Sequence, residues 1–231
     1  MKSFLSLIAL VVVCFIAPLQ AETKSPSPRI LAIGDSLMAW HKGRGRSIAD
    51  VVAKSLNEPV RNRSVGGARM IYNLPVTGAL GLSIPRQLPV GAWDWVILSG
   101  GGNDLWFGCG CSRCDRRIGK MVSADGRKGM VPGLVKRIRN SGAKVVMIGY
   151  LRSPGVGSVI ESCKDDGDAY EARLGTMADA LEGVYFISNA DLVPHGDRSF
   201  HGGDMIHPSP KGSAAIGARV VDLIRRVDQG R

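Results

Sequence analysis

Five short strand-like segments, at residues 29–33, 59–65, 93–99, 144–150 and 184–188, alternate with stretches of helical spacing. Helices are expected at 45–56, 83–88, 130–140 and 169–181, and from Pro210 onward behind Ser209 as cap. The first run, with Ile30, Leu31, Ala32 and Ile33, reads as a strand buried on both faces. Strands that alternate with helices pair in parallel through crossovers, so the expected class is α/β, a parallel sheet covered on both sides. With 231 residues and 45% apolar content, the chain can bury one core and is short for two.

The N-terminus reads differently. Lys2 precedes an apolar run from Leu5 to Ala17, and Pro18-Leu19-Gln20-Ala21 ends in a small residue. Residues 1–21 are therefore expected to be a cleavable signal peptide, too short for a membrane anchor. Bulky Val13 before Cys14 weakens a lipoprotein reading. A polar linker at 22–28, a domain at 29–228 and a tail at 229–231 complete the expected organisation. The expected location is periplasmic or secreted, with no transmembrane segment in the mature chain.

Cleavage removes only Lys2 among charged residues, so the net charge falls from +10 to +9. A basic exported protein suits an anionic envelope surface, or is merely soluble. No nucleic-acid-binding module is recognisable.

Gly34-Asp35-Ser36-Leu37 follows the first strand. Glycine permits a sharp turn at the carboxyl edge of the sheet, where open α/β sheets place ligands. Ser36 is then either a helix cap or a nucleophile at the mouth of a cleft. A serine hydroxyl needs a base. Of His41, His195, His201 and His207, only His207 carries an aspartate, Asp204, three residues before it. That spacing lets a carboxylate hold one imidazole nitrogen and leaves the other for Ser36. His41 and His195 read as surface residues. His201, Asp204 and His207 could form a metal cluster, but no H-E-x-x-H helix accompanies them, and no metal or other cofactor is expected. Acyl transfer also needs donors for an oxyanion; the backbone N–H groups of Ser36 and Gly67 and the side-chain amide of Asn103 are candidates.

Gly34-Asp35-Ser36-Leu37, Asn62-x-x-x-x-Gly67, Gly101-Gly102-Asn103-Asp104 and Asp204-x-x-His207, in that order, resemble the SGNH/GDSL hydrolase family. The resemblance spans nearly all of residues 29–227. It implies a three-layer α/β/α sandwich on a five-stranded parallel sheet of flavodoxin-like order. It also implies a metal-free serine esterase with Ser36 as nucleophile, His207 as base and Asp204 orienting it. Ser36, Gly67 and Asn103 would form the oxyanion hole. No G-x-S-x-G elbow supports the α/β-hydrolase alternative.

The insert after Asn103 departs from that pattern. Leu105-Trp106-Phe107 leads into a loop with Cys109, Cys111 and Cys114. With Cys163 they make four cysteines, which allow three pairings. These cysteines follow the third and fourth strands, at the same sheet edge, so a disulfide from Cys163 to one of the other three would pin two rim loops. A four-cysteine zinc site is the rival arrangement. Met70, Ile71, Tyr72, Trp106 and Phe107 are candidates for lining a substrate pocket. The expected function is an exported carboxylic ester hydrolase acting on an envelope O-acyl glycan or lipid ester. The alternative is a non-catalytic glycan- or lipid-binding protein on the same fold.

Overall fold

The computed structural model describes residues 28–230. The expected signal peptide, linker residues 22–27 and Arg231 lie outside the described residues. The strands are β1 (Ile30–Ile33), β2 (Val60–Asn62), β3 (Trp95–Leu98), β4 (Lys144–Ile148) and β5 (Val184–Ile187). The helices are α1 (Ser36–Ala39), α2 (Ile48–Leu56), α3 (Pro75–Thr77), α4 (Gly102–Cys109), α5 (Asp115–Met121), α6 (Met130–Asn140), α7 (Lys164–Ala180) and α8 (Pro210–Gln229).

All strand pairs are parallel, in the order β2-β1-β3-β4-β5. This is the flavodoxin-like order. The chain leaves β1 toward β2 and returns to β3 on the other side of β1. The loops after β1 and β3 therefore part, opening a crevice at the carboxyl edge.

Alternation along each strand splits the core in two. Leu31, Ile33, Val96, Leu98, Val145 and Met147 face α5, α6 and α7. Ile30, Ala32, Trp95, Ile97, Val146 and Ile148 face α1, α2 and α8. The result is the expected three-layer sandwich. Each fully buried Ile, Leu or Val contributes roughly 1.5–3 kcal/mol relative to exposure. At the opposite edge, Asp228 near the end of α8 meets Lys144 Nζ at 2.7 Å and Trp95 Nε1 at 3.3 Å, fixing that helix to β3 and β4.

Several elements depart from the sequence expectation. The helix expected from residue 45 starts at Ile48, because Ser47 caps it in a reciprocal pair with Asp50. The helix expected at 83–88 is a single 3-10 turn, Ile84–Arg86. The segment read as a cysteine-rich loop holds two helices, α4 and α5. Its glycines weakened the helical signal, and burial of Leu105, Ile118 and Met121 overrode it. Helix α7 begins five residues earlier than expected, with Asp165 and Asp166 in its first turn complementing the helix dipole.

Candidate active site

The site grows from the β1–α1 turn. Gly34 has φ of 154°, and a Cβ there would lie 2.8 Å from the Ser99 carbonyl oxygen. Only glycine lets the turn lie this close to the end of β3. Gln87 ties the turn down, accepting from Gly34 N–H at 2.7 Å and donating to Gly34 O at 2.8 Å. The cap of α1 is Asp35 rather than Ser36: its Oδ1 accepts the Leu37 N–H at 3.1 Å. Ser36 is thus free of capping and stands half-buried at the start of α1.

Asp35 is fully enclosed. It accepts hydrogen bonds from Ser99 Oγ and from the hydroxyl of Tyr150, which itself accepts the Gly102 N–H at 2.6 Å. Burial pushes the Asp35 carboxyl above its ordinary range, and these donors pull against that. Burial, together with the Asp35 charge, pushes the Tyr150 phenol well up. Tyr150 therefore joins the turn bearing Ser36 to the start of α4 bearing Asn103.

The Asn103 amide donates to the Ala68 carbonyl at 3.0 Å. Next to it, buried Asp104 accepts the N–H groups of Met70 and Ile71 at 2.8 and 2.9 Å. Burial raises the Asp104 carboxyl to about 6, against those two amides. Together the two side chains clamp the segment after Gly67, which has φ of 76° in an exposed turn.

On the other side, His207 Nδ1 is 2.6 Å from Asp204 Oδ2. Asp204 Oδ1 accepts the backbone N–H groups of Ile206 and His207, both at 3.0 Å. Partial burial raises the Asp204 carboxyl, but the His207 ring and these amides outweigh it and hold it below the usual range. Trp40 stacks on the face of His207.

Ser36, Asn103 and His207 line one cavity of about 440 Å³. Its lining includes the apolar side chains of Leu105, Trp106, Leu151, Pro154, Ile160 and Val193. Of the charged groups that line it, Asp168 pairs with Arg152 at 2.7 Å and with Lys164 at 2.9 Å, while Glu161 accepts from the Ser153 hydroxyl.

Cys109 pairs with Cys114, and Cys111 with Cys163, with Cα–Cα distances of 5.5 and 4.7 Å. The second pair ties the loop after α4 to the loop after β4, and Cys163 lines the cavity.

Among the pocket candidates, Trp106 lines this cavity and the others do not. Met70 corrects the expectation: its side chain is fully buried against Ile84 and Gly100, because Asp104 draws its backbone inward. Ile71 packs against the same core. Tyr72 hydrogen-bonds Thr77 within its own loop. Phe107 stays exposed, stacked on Trp106. Gly67 is also outside the cavity lining. His195 is exposed, as expected of a surface residue, and also lines the cavity, and His41 hydrogen-bonds the Pro208 carbonyl at 3.1 Å. His201 is buried, and burial pushes its imidazole down. Among the described residues, no three metal-capable side chains converge.

The sequence reading missed Tyr150, Arg152 and Trp40. Tyr150 and Arg152 follow β4 at the carboxyl edge, and that position alone was a usable signal. Trp40 is one helical turn after Ser36, which places it beside the nucleophile turn.

A doubly wound sheet with a serine, an aspartate-held histidine and an amide side chain around one edge cavity defines a class of hydrolases. The profile of the GDSL-like lipase/acylhydrolase family matches residues 32–215, and the chain belongs to that family of ester-bond hydrolases. No curated protein sequence matches the chain. Among solved structures it is similar to a GDSL-like lipase from Bacteroides thetaiotaomicron (15% identity, TM-score 0.61, covering 88% of this chain and 92% of that one). It is also similar to TesA (20%, TM-score 0.55, covering 83% and 94%). A third is a carbohydrate esterase family 2 enzyme with a carbohydrate-binding domain from Corynascus thermopiles (16%, TM-score 0.55, covering 88% and 67%). At these identities the likeness speaks for the fold.

Proposed function

We propose that the protein is an exported serine esterase that cleaves carboxylic esters through an acyl-enzyme. The observation that carries this reading is His207, 2.6 Å from Asp204, lining the same cavity as Ser36. His207 takes the Ser36 proton as the hydroxyl oxygen attacks the ester carbonyl, and Asp204 holds the imidazole and stabilises its charged form. The oxyanion is met by the Ser36 and Gly67 N–H groups and the Asn103 amide. His207 then protonates the leaving alcohol, and water releases the acid by the reverse sequence.

The apolar share of the lining and the pairing of Asp168 with Arg152 and Lys164 favour a neutral acyl chain of several carbons over an acetyl group alone. This leans the reading toward a lipid ester rather than an O-acetyl glycan. Export is supported by the signal-like residues 1–21 and by the two cysteine pairs.

The test is Ser36→Ala with a panel of aryl esters from acetyl to dodecanoyl, beside fluorophosphonate labelling. The expected result is near-complete loss of turnover and label with folding intact, and a wild-type optimum above acetyl. Unchanged turnover in the variant rejects the assignment.

A further inference from the structure

Beside the site lies a lobe that the chemistry above does not use. Residues 70–85 contain no charged side chain, and residues 59–93 contain no Asp or Glu. Helix α3 and the turns after it, through Leu82, carry Leu74, Val76 and Leu80 at 62%, 71% and 75% exposure. Val76 and Leu80 are four residues apart, the spacing that puts side chains on one helix face.

Four arginines are attached to this lobe and its C-terminal flank. Arg86 donates to the Pro75 carbonyl at 2.8 Å and Arg63 to the Gln87 carbonyl at 2.8 Å. Arg137 reaches the Pro85 carbonyl at 3.5 Å, and Arg69 lies 5.0 Å over the Tyr72 ring. Among the described residues none of the four forms a salt bridge. Asp104, whose charge Arg69 feels, is already engaged by the Met70 and Ile71 amides. Three of these guanidiniums are held by carbonyls and the fourth lies over a ring, so none is paired with a carboxylate in a salt bridge.

The lobe is bolted to the catalytic turns. Gln87 bonds Gly81 as well as Gly34, and Asp104 holds the start of the lobe. Whatever receives the tip is therefore oriented relative to Ser36.

We propose that this lobe docks the protein on an anionic lipid bilayer, with Leu74, Val76 and Leu80 entering the acyl boundary and the arginines at phosphate level. Apolar tips flanked by cations suit a surface that is anionic outside and apolar beneath. An anionic polysaccharide satisfies the cations and leaves the leucines and valine wet. A second copy buries the tips but crowds two sets of guanidiniums without salt-bridge partners. The docking function does not depend on the esterase reading, because binding is read without turnover.

The test is co-sedimentation, at low and high salt, of the protein in the form its cells accumulate, with vesicles of phosphatidylcholine alone or mixed with phosphatidylglycerol. Binding is expected only to the anionic vesicles and should weaken with salt. Val76→Asp/Leu80→Asp and Arg69→Gln/Arg86→Gln should each lower vesicle affinity by roughly tenfold or more. Ser36→Ala should bind like wild type, and the Val76/Leu80 variant should keep wild-type turnover of a soluble short-chain ester. Three results would overturn the proposal. One is no preference for anionic vesicles. Another is undiminished vesicle binding by the Val76/Leu80 variant. The third is binding to an anionic polysaccharide that matches vesicle binding and ignores that variant.

Discussion

The indole of Trp40 lies flat on the imidazole of His207, with 3.8 Å between ring centres and 7° between planes. Trp40 also closes α1, its backbone N–H donating to the Ser36 carbonyl at 2.8 Å. The short helix that starts with the proposed nucleophile thus ends with the side chain that braces the proposed base. Asp204 holds the ring at its edge and Trp40 holds it at its face, leaving Nε2 as the nitrogen without a brace.

Trp40 is therefore predicted to be a positioning residue for His207. Such a stack is worth about 0.5–1.5 kcal/mol, or roughly a 2- to 10-fold effect on rate. Trp40→Leu should lower kcat by that factor with KM nearly unchanged, and Trp40→Phe should recover much of it. Ring-current displacement of the His207 carbon-bound protons, read by NMR, should disappear in Trp40→Leu. Equal kcat in wild type and Trp40→Leu rules the role out.

Tyr150 gives a second prediction. Its hydroxyl donates to buried Asp35 and accepts the Gly102 N–H, so one group joins two turns of the site. Tyr150→Phe strips a donor from an enclosed carboxylate and an acceptor from an amide. The cost to stability should be about 1–3 kcal/mol for each group left unsatisfied, read by urea unfolding. Turnover should fall further than stability alone explains, because Asn103 follows Gly102 directly. A variant with wild-type stability would show that water replaces the hydroxyl.

Asp104 makes a prediction about pH. Burial raises its carboxyl from an ordinary 3.8 to about 6, so the folded protein prefers it protonated. Its contribution to stability is greatest below about pH 3.8 and is lost as pH rises through about 6. The difference is about 2–3 kcal/mol. Stability of wild type minus that of Asp104→Asn should therefore decrease by this amount between pH 4 and pH 7.5. The subtraction removes the other titrating groups, and a flat difference would mean that water reaches the carboxyl. In the same variant an amide NH₂ faces one of the two N–H donors, so the segment after Gly67 should loosen and turnover at pH 7.5 should fall.

How legible this was in the sequence depends on range. Four of the strands could be read because each is an apolar run bounded by turn residues, β2 being short and polar, and their alternation with helices implied parallel pairing. The Ser36, Asn103 and His207 positions could be read because their motifs sit in short turns at strand or helix ends. Tyr150 could be placed at the carboxyl edge by its position after β4, but its role and those of Trp40 and Gln87 could not be assigned, since each acts through a partner in space rather than through local pattern. Gln87 reaches Gly34 across 53 residues, and Tyr150 reaches Asp35 across 115. Met70 misled because it looks like a loop hydrophobe. Its burial follows from the hydrogen bond between its own backbone and Asp104, 34 residues later.

The last prediction concerns the pairing of Cys111 with Cys163. The sequence placed both in loops leaving the active-site edge but left three pairings open; the structure joins this pair across 52 residues. In the chain-entropy picture, closing a loop of that length stabilises the fold by about 4 kcal/mol. Cys163 also forms part of the wall of the cavity, beside Ile160 and Lys164. Cys111→Ser/Cys163→Ser should therefore unfold at lower urea than wild type, while Cys109→Ser/Cys114→Ser, closing only five residues, should lose less. If the loop after β4 forms the far wall of an acyl pocket, releasing it should also broaden the acyl-length optimum, with little change for acetyl esters. Unchanged chain-length preference with reduced stability would confine the bridge to a structural role.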